Sequence, residues 1–339
     1  MKQVQLLKKS DLAPYTSIPS YLPEQKNIEL KGMTFCVEER GDKKGEPLVL
    51  IMGLACQLTQ WPESLLNGLA HSGYRVICFD NRDIGLSVKI TSSLKVDTRF
   101  AFLKHKLGFT PDANYTLFDM ANDTSHLLRA LNIESAHIVG VSMGGMIAQI
   151  MGALYPDQVR SLSVLMSSTN SPWLPMPELS LVYKLSKRGR VKHDAEAVTE
   201  RWYRFWKAVE SPGFKSDPAL MKADIHANYQ RSYSPGGTLR QLQAILATGC
   251  LKQHLGNISS PTLIIHGAKD PLLKPACGES IAQQIPHAKM IKIKGMGHDL
   301  PDKLTPTLVN LIHQHARGAF KLEQADKRSS ATPALTDPA

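Results

Sequence analysis

At 339 residues the chain is too long for one small domain and fits either a large single core carrying an insertion or two modest domains. Apolar residues make up 42% and charged residues 21%, and Gly and Pro are not in excess, which excludes disorder over most of the length. Lys and Arg number 40 against 30 Asp and Glu, a net +10, but the basic residues are interleaved with acids even around their densest run at 184–192. No zinc-finger or aromatic RNA-binding pattern accompanies them, so the charge reads as a solvated basic surface, with no nucleic-acid partner expected.

Residues 1–27 are polar and carry Pro14, Pro19 and Pro23, and are expected to lie on the surface as an extended arm. The stretches 28–30 and 33–40, separated by Lys31-Gly32, have the alternation of a hairpin of two antiparallel edge strands. Next come continuous apolar runs at 47–53, 74–80 and 136–141, the pattern of strands buried on both faces of a parallel sheet. Helical spacing separates them, most clearly at 119–131, where Met120, Leu127, Leu128 and Leu131 share one face. Further strands are expected at 159–166, 262–266 and 289–293, and helices at 144–155, 277–284 and 304–317. Strands alternating with helices imply an α/β fold with a mostly parallel central sheet and right-handed crossovers.

The alternation breaks once. Residues 167–259 show no strand pattern and hold Trp173, Trp202, Tyr203, Phe205, Trp206, Tyr229 and Tyr233, so they are expected to form an inserted helical lid of about 90 residues. The expected division is therefore an arm (1–27), a core in two parts (28–166 and 260–319), the lid between them, and a flexible Lys-, Ser-, Ala- and Pro-rich tail (320–339). The five cysteines, Cys36, Cys56, Cys78, Cys250 and Cys277, form neither a CxxC pair nor a zinc spacing and read as reduced thiols. The start of the chain lacks an apolar stretch of signal-peptide length, and no window approaches the roughly 20 apolar residues of a membrane span. A cytoplasmic protein is expected.

One segment carries chemistry on its face. Gly140-Val141-Ser142-Met143-Gly144-Gly145 stands between a buried strand and a helical stretch, so Ser142 occupies a sharp strand-to-helix turn. Gly140, Gly144 and Gly145 supply the small residues such a turn needs, and the turn lifts the hydroxyl out of the sheet. It also aims the N–H of Met143 and the positive end of the helix at the reacting centre. Taken alone, the segment could equally be a helix N-cap serine in a glycine-rich turn.

A serine hydroxyl needs a base, and the base needs an orienting group. Two loops after later strands offer them: His266-Gly267-Ala268-Lys269-Asp270 and Lys294-Gly295-Met296-Gly297-His298. Each follows an apolar strand, so both side chains belong among the loops above one end of a parallel sheet. Ser142, Asp270 and His298 are thus the expected nucleophile, orienting acid and base. Of the other histidines, His137 and His266 fall within strands, while His313 and His315 point to different faces of a helix and make no metal pair. No HExxH, phosphate loop or dinucleotide fingerprint occurs. A second oxyanion donor, beside Met143, is expected from the backbone N–H of Leu54 in Met52-Gly53-Leu54-Ala55-Cys56.

Five blocks taken in order resemble the α/β-hydrolase family over residues 28–317: Met52-Gly53-Leu54, Phe79-Asp80-Asn81-Arg82-Asp83-Ile84-Gly85-Leu86-Ser87, the Ser142 turn, the Asp270 loop and the His298 loop. The order Ser, Asp, His is that of the family. Many relatives have His-Gly where this chain has Met52-Gly53, a change of loop packing more than of chemistry. The Asp-Asn-Arg-Asp block is similar to that of a bacterial branch with aclacinomycin methylesterase-like and macrolide esterase-like members. The resemblance implies a serine esterase acting on small-molecule carboxylic esters; the triad implies an acyl-enzyme with no metal or organic cofactor required, and the lid's aromatic and aliphatic residues favour an apolar substrate. Other triad reactions (perhydrolase, acyltransferase, C–C hydrolase or aminopeptidase) and a non-catalytic ligand-binding role stay open, as does the oligomeric state.

Overall fold

The computed structural model describes residues 4–8, 23–92, 94, 97–178, 181 and 194–329. Its centre is a nine-stranded sheet in the order β1-β9-β8-β7-β6-β4-β5-β3-β2. The strands are β1 Val4–Leu7, β2 Glu24–Leu30, β3 Met33–Arg40, β4 Glu46–Ile51, β5 Tyr74–Phe79, β6 Ala136–Val141, β7 Val159–Leu165, β8 Thr262–Gly267 and β9 Lys289–Ile293. From β1 to β5 every neighbouring pair is parallel; β3 and β2 complete the other edge in antiparallel register.

The continuous apolar runs form central strands because successive side chains enter two different cores. Leu48 and Leu50 of β4 pack on one face of the sheet with Val139 and Ile265, whereas Val49 and Ile51 pack on the other with Ile138 and Ile264. Helices α1 (Glu63–His71) and α10 (Thr305–Ser329) cover the first face through Leu65, Leu69, Leu308 and Ile312. The second face is covered by α3 (Leu117–Ala130), α4 (Met143–Leu154) and α9 (Pro275–Gln284), through residues including Met120, Ile147 and Ile281. Side chains buried at this depth contribute about 1.5–3 kcal/mol each, so the two cores fix the register of every central strand.

The chain runs from β4 outward to β5 and then returns to place β6 on the opposite side of β4. That reversal opens a crevice above the carboxyl ends of β4 and β6, where ligands bind in open α/β sheets. Between β7 and β8 the described residues contain no strand but hold α5 (Ala195–Val209), α6 (Pro218–Arg231), α7 (Pro235–Thr248) and the short α8 (Lys252–Leu255). A further helix, α2 (Thr98–Lys106), packs on α7.

Two expectations differ at the ends. The arm expected at 1–27 contributes β1, which adds to the sheet edge beside β9, and β2, which begins at Glu24 rather than at 28. A four-residue strand whose partner lies at the far end of the sequence leaves no local pattern. The tail expected from 320 continues α10 as far as Ser329, in keeping with the good helix formers of Ala319-Phe320-Lys321-Leu322-Glu323-Gln324-Ala325. The rest of the arm and of the tail lies outside the described residues.

Candidate active site

Strand β6 ends at Val141 and α4 begins at Met143, leaving Ser142 alone to make the turn. Its backbone adopts φ 55°, ψ −118°, a conformation that costs a non-glycine residue about 1–3 kcal/mol. The surroundings hold it there. Ser142 N–H donates to Leu165 O at 2.9 Å, and Ser142 O accepts from Ser167 Oγ at 2.7 Å and from the N–H of Gly145 and Met146. Strand and helix approach so closely that a Cβ on Gly140 would strike Gly144 O, one on Gly144 would strike Ile51 O, and one on Gly145 would strike the Ser167 side chain. These contacts are the reason for the glycine pattern around the serine.

The three residues named from the strand-end loops meet. His298 Nε2 lies 3.1 Å from Ser142 Oγ, and His298 Nδ1 lies 2.6 Å from Asp270 Oδ2. The other Asp270 oxygen accepts the N–H groups of Leu272 and Leu273 at 2.9 and 2.8 Å, so its own loop aims the carboxylate. With a carboxylate facing Nδ1, the ring proton belongs there, and the Nε2 lone pair is left toward the serine hydroxyl. His266 stands beneath, its Nε2 2.7 Å from Leu273 O and 3.5 Å from Asp270 Oδ2. Burial pushes its pKa down, so the ring stays neutral and donates to Leu273 O, leaving the Asp270 charge to His298.

The loop after β4 lies against the serine: a Cβ on Gly53 would stand 3.3 Å from Ser142 Cβ. A turn is closed by Cys56 N–H donating to Gly53 O at 3.3 Å, with Ala55 at φ 64°. Ala55 N–H donates to Gln241 Oε1 at 2.9 Å, while Leu54 N–H has no acceptor among the described residues. Met143 N–H is the first of α4, where helical amides have no partner within the helix.

Residues 46–302 match the family model described as alpha/beta hydrolase fold. The chain belongs to the α/β-hydrolase fold family. The rhodomycin D methylesterases of Streptomyces sp. (strain C5) and Streptomyces peucetius are 25% identical over 307 residues and 24% identical over 306, each match covering 85% of this chain and 96% of the relative. Among solved structures, the 2-hydroxy-6-oxo-6-phenylhexa-2,4-dienoate hydrolase of Rhodococcus sp. strain RHA1 superposes with a TM-score of 0.66 at 15% identity, covering 88% of this chain and 100% of that one, a likeness of fold.

Three further features of this α/β hydrolase were not read from its sequence. The first is Gln241 on α7, wholly buried, which accepts from Ala55 and donates through Nε2 to Arg82 O at 3.0 Å. It holds the positive-φ Ala55 turn that presents Leu54. Gln241→Leu keeps the volume but strips both backbone groups of partners, and should lower kcat for an ester about 10- to 100-fold with KM little changed, and stability by about 1–3 kcal/mol. Steady-state kinetics and thermal melts check this; a lowered melting temperature with wild-type kcat would make Gln241 a stabilising residue only.

The second is the clasp on the His298 loop. His298 N–H donates to Val209 O at 2.8 Å, Gly213 N–H to Gly295 O at 2.9 Å, and Gly297 N–H to Ser211 Oγ at 2.8 Å. A side chain at 297 would collide with Val209 O, so glycine is required at that point of contact. Ser211 in turn donates through N–H (3.0 Å) and Oγ to Asp299 Oδ1. Burial pushes the pKa of Asp299 up to about 6.

The third is the role of the Asp-Asn-Arg-Asp block, which is a brace. Asp80 accepts from the N–H of Leu58 and Leu86 and lies 2.8 Å from Arg231 of α6. Asp83 takes both arms of Arg240 on α7, at 2.9 and 2.6 Å, and the hydroxyl of Tyr115 at 2.7 Å. Arg82 forms a buried two-pronged pair with Asp123, and Asn81 donates to Met52 O at 3.0 Å. Core, inserted helices and the Met52–Cys56 loop are thereby tied into one unit.

Proposed function

We propose that this hydrolase cleaves carboxylic esters, with Ser142 as nucleophile, His298 as base and Asp270 orienting the base. The observation that carries the reading is the continuous run Asp270 Oδ2, His298 Nδ1, His298 Nε2, Ser142 Oγ, with gaps of 2.6 and 3.1 Å. In the first step Ser142 Oγ bonds to the ester carbonyl carbon and its proton passes to His298 Nε2. The N–H groups of Leu54 and Met143 receive the oxyanion. Collapse breaks the bond to the alcohol oxygen, which takes the proton from Nε2 and leaves an acyl-Ser142. Water, deprotonated by the same nitrogen, adds to the acyl carbon, and the acid departs as Oγ recovers its proton. His298 carries every proton, so the cycle draws on no metal or organic cofactor.

The insertion at 167–259 serves as the lid, and its aromatic residues favour an apolar substrate. The two methylesterase relatives support a methyl ester among the substrates. An aminopeptidase reading would need free lid carboxylates for the substrate amine. Glu200 instead pairs with Arg204 and Lys222, and Glu210 pairs with Lys207 and accepts from Ser216 N–H. The proposed setting is the cytoplasm, consistent with five free cysteines. No helix among the described residues is long and apolar enough to cross a membrane.

A panel of p-nitrophenyl esters and methyl esters of bulky aromatic acids, run beside a fluorophosphonate probe, tests the proposal. Methyl esters should release methanol, and the probe should label Ser142. Labelling without turnover of any ester would sink the substrate class and leave the nucleophile standing; no labelling of folded protein would sink both.

A further inference from the structure

Helix α2 reverses the usual amphipathic order. It packs inward with Ala101 and His105, whose Nδ1 lies 3.2 Å from Leu246 O of α7. Its large apolar side chains are exposed: Phe100, Leu103 and Leu107 recur at i, i+3 and i+7 and so share one stripe, while Phe102 lies apart from it, beyond Arg99 and Lys106. The helix ends in a left-handed turn at Gly108 (φ 84°), with Phe109 N–H bonded to Lys104 O and Gly108 N–H to His105 O, and Phe109 is left exposed as well. Lys106 Nζ bonds Pro172 O, which brings Trp173 to the same surface. These residues range from 40% exposed at Phe102 to 82% at Trp173, far beyond the scattered apolar exposure of an ordinary surface.

The charges interleaved with the stripe are basic, and acids stand only at its two ends, as Asp97 capping the helix and Asp112 beyond Phe109. Lys104, its Nζ 5.1 Å above the Phe100 ring, flanks one side of the stripe, and Arg99 and Lys106 flank the other. No carboxylate occurs from 98 to 111. Lysine is depleted from the centres of protein–protein interfaces, whereas an exposed apolar stripe between rows of cations, with an adjoining tryptophan, fits the boundary between acyl chains and anionic headgroups.

We propose that α2, with Phe109 and Trp173, seats the protein on an anionic lipid surface. The apolar side chains enter the headgroup boundary, and Arg99, Lys104 and Lys106 meet lipid phosphates. This goes beyond the ester-cleavage reading and does not rest on it. The contact borders the inserted helices through the packing of α2 on α7.

The test is co-flotation of the full chain with phosphatidylcholine vesicles, with and without phosphatidylglycerol. At low salt the protein should partition onto the phosphatidylglycerol vesicles at least about tenfold more than onto phosphatidylcholine alone. Phe100→Asp combined with Leu103→Asp should reduce that partition by about tenfold or more, and Lys104→Gln by roughly fivefold. Brominated lipid should quench tryptophan fluorescence in the wild type and much less in Trp173→Phe. Turnover of a short soluble ester by the doubly substituted variant should be unchanged. Equal binding to both vesicle types, or binding indifferent to the double substitution, would overturn the proposal. So would a dimer in sedimentation that the same substitutions dissolve without any vesicle binding, since the stripe would then join two copies of the chain.

Discussion

Ser142→Ala should lower kcat for ester hydrolysis by roughly 10⁴- to 10⁶-fold and abolish fluorophosphonate labelling, while KM for a soluble ester changes little. On the proposed mechanism the loss is large because neither neighbour of the hydroxyl can replace it as nucleophile. Gly53, which faces the serine, has no side chain, and Asp270 is already committed to His298 and to its own loop. Residual activity should persist above the uncatalysed rate, because the proposed oxyanion donors, the Leu54 and Met143 amides, are left in place by the substitution. Folding should be nearly untouched. The backbone bonds that hold residue 142 in its positive-φ turn run through its N–H and C=O, to Leu165, Ser167, Gly145 and Met146, and an alanine keeps all of them. A variant with wild-type turnover in a burst assay, or one that loses activity only by unfolding, would remove Ser142 from the chemistry.

The backbone contacts also show what was legible beforehand. Strands β4, β5 and β6 stood out as continuous apolar runs because each is buried on both sides, and β6 and β9 were read to their observed ends. The three loops bearing Ser142, Asp270 and His298 were readable because a parallel sheet gathers the carboxyl ends of its strands along one edge, so sequence position relative to a strand stands in for position in space. What stayed hidden depends on partners distant in sequence. Asp83 and Arg240 stand 157 residues apart, as do Gln241 and Ala55 at 186, and nothing local to either member marks the pair. Ser211 gives no sign that it will meet Gly297, since its function is only to satisfy another loop's amide. The basic excess read as scattered, and only the folded arrangement shows that α2 presents Arg99, Lys104 and Lys106 beside exposed phenylalanines, with Asp97 and Asp112 at its ends.

Asp270→Asn separates charge and tautomer from structure. The asparagine carbonyl can take over the Oδ1 role and keep the N–H groups of Leu272 and Leu273, so the loop and the fold should survive. Its amide then faces His298 Nδ1 with hydrogens, which obliges Nδ1 to accept and places the ring proton on Nε2, pointing at Ser142 Oγ. A protonated Nε2 cannot take the serine proton, and kcat should fall about 10⁴-fold at neutral pH with the melting temperature changed by only a few degrees. Asp270→Ala should lose as much activity and also destabilise the protein by about 1–3 kcal/mol, because two partly buried amides lose their acceptor and His266 loses a neighbouring charge. Comparing the two variants by kinetics and denaturant melts therefore tests the proposed division of one carboxylate's roles between Oδ2, which contacts His298, and Oδ1, which holds the loop. Near-normal turnover in Asp270→Asn would mean that His298 is held in its working tautomer by some other group, and the assignment of Asp270 would fall.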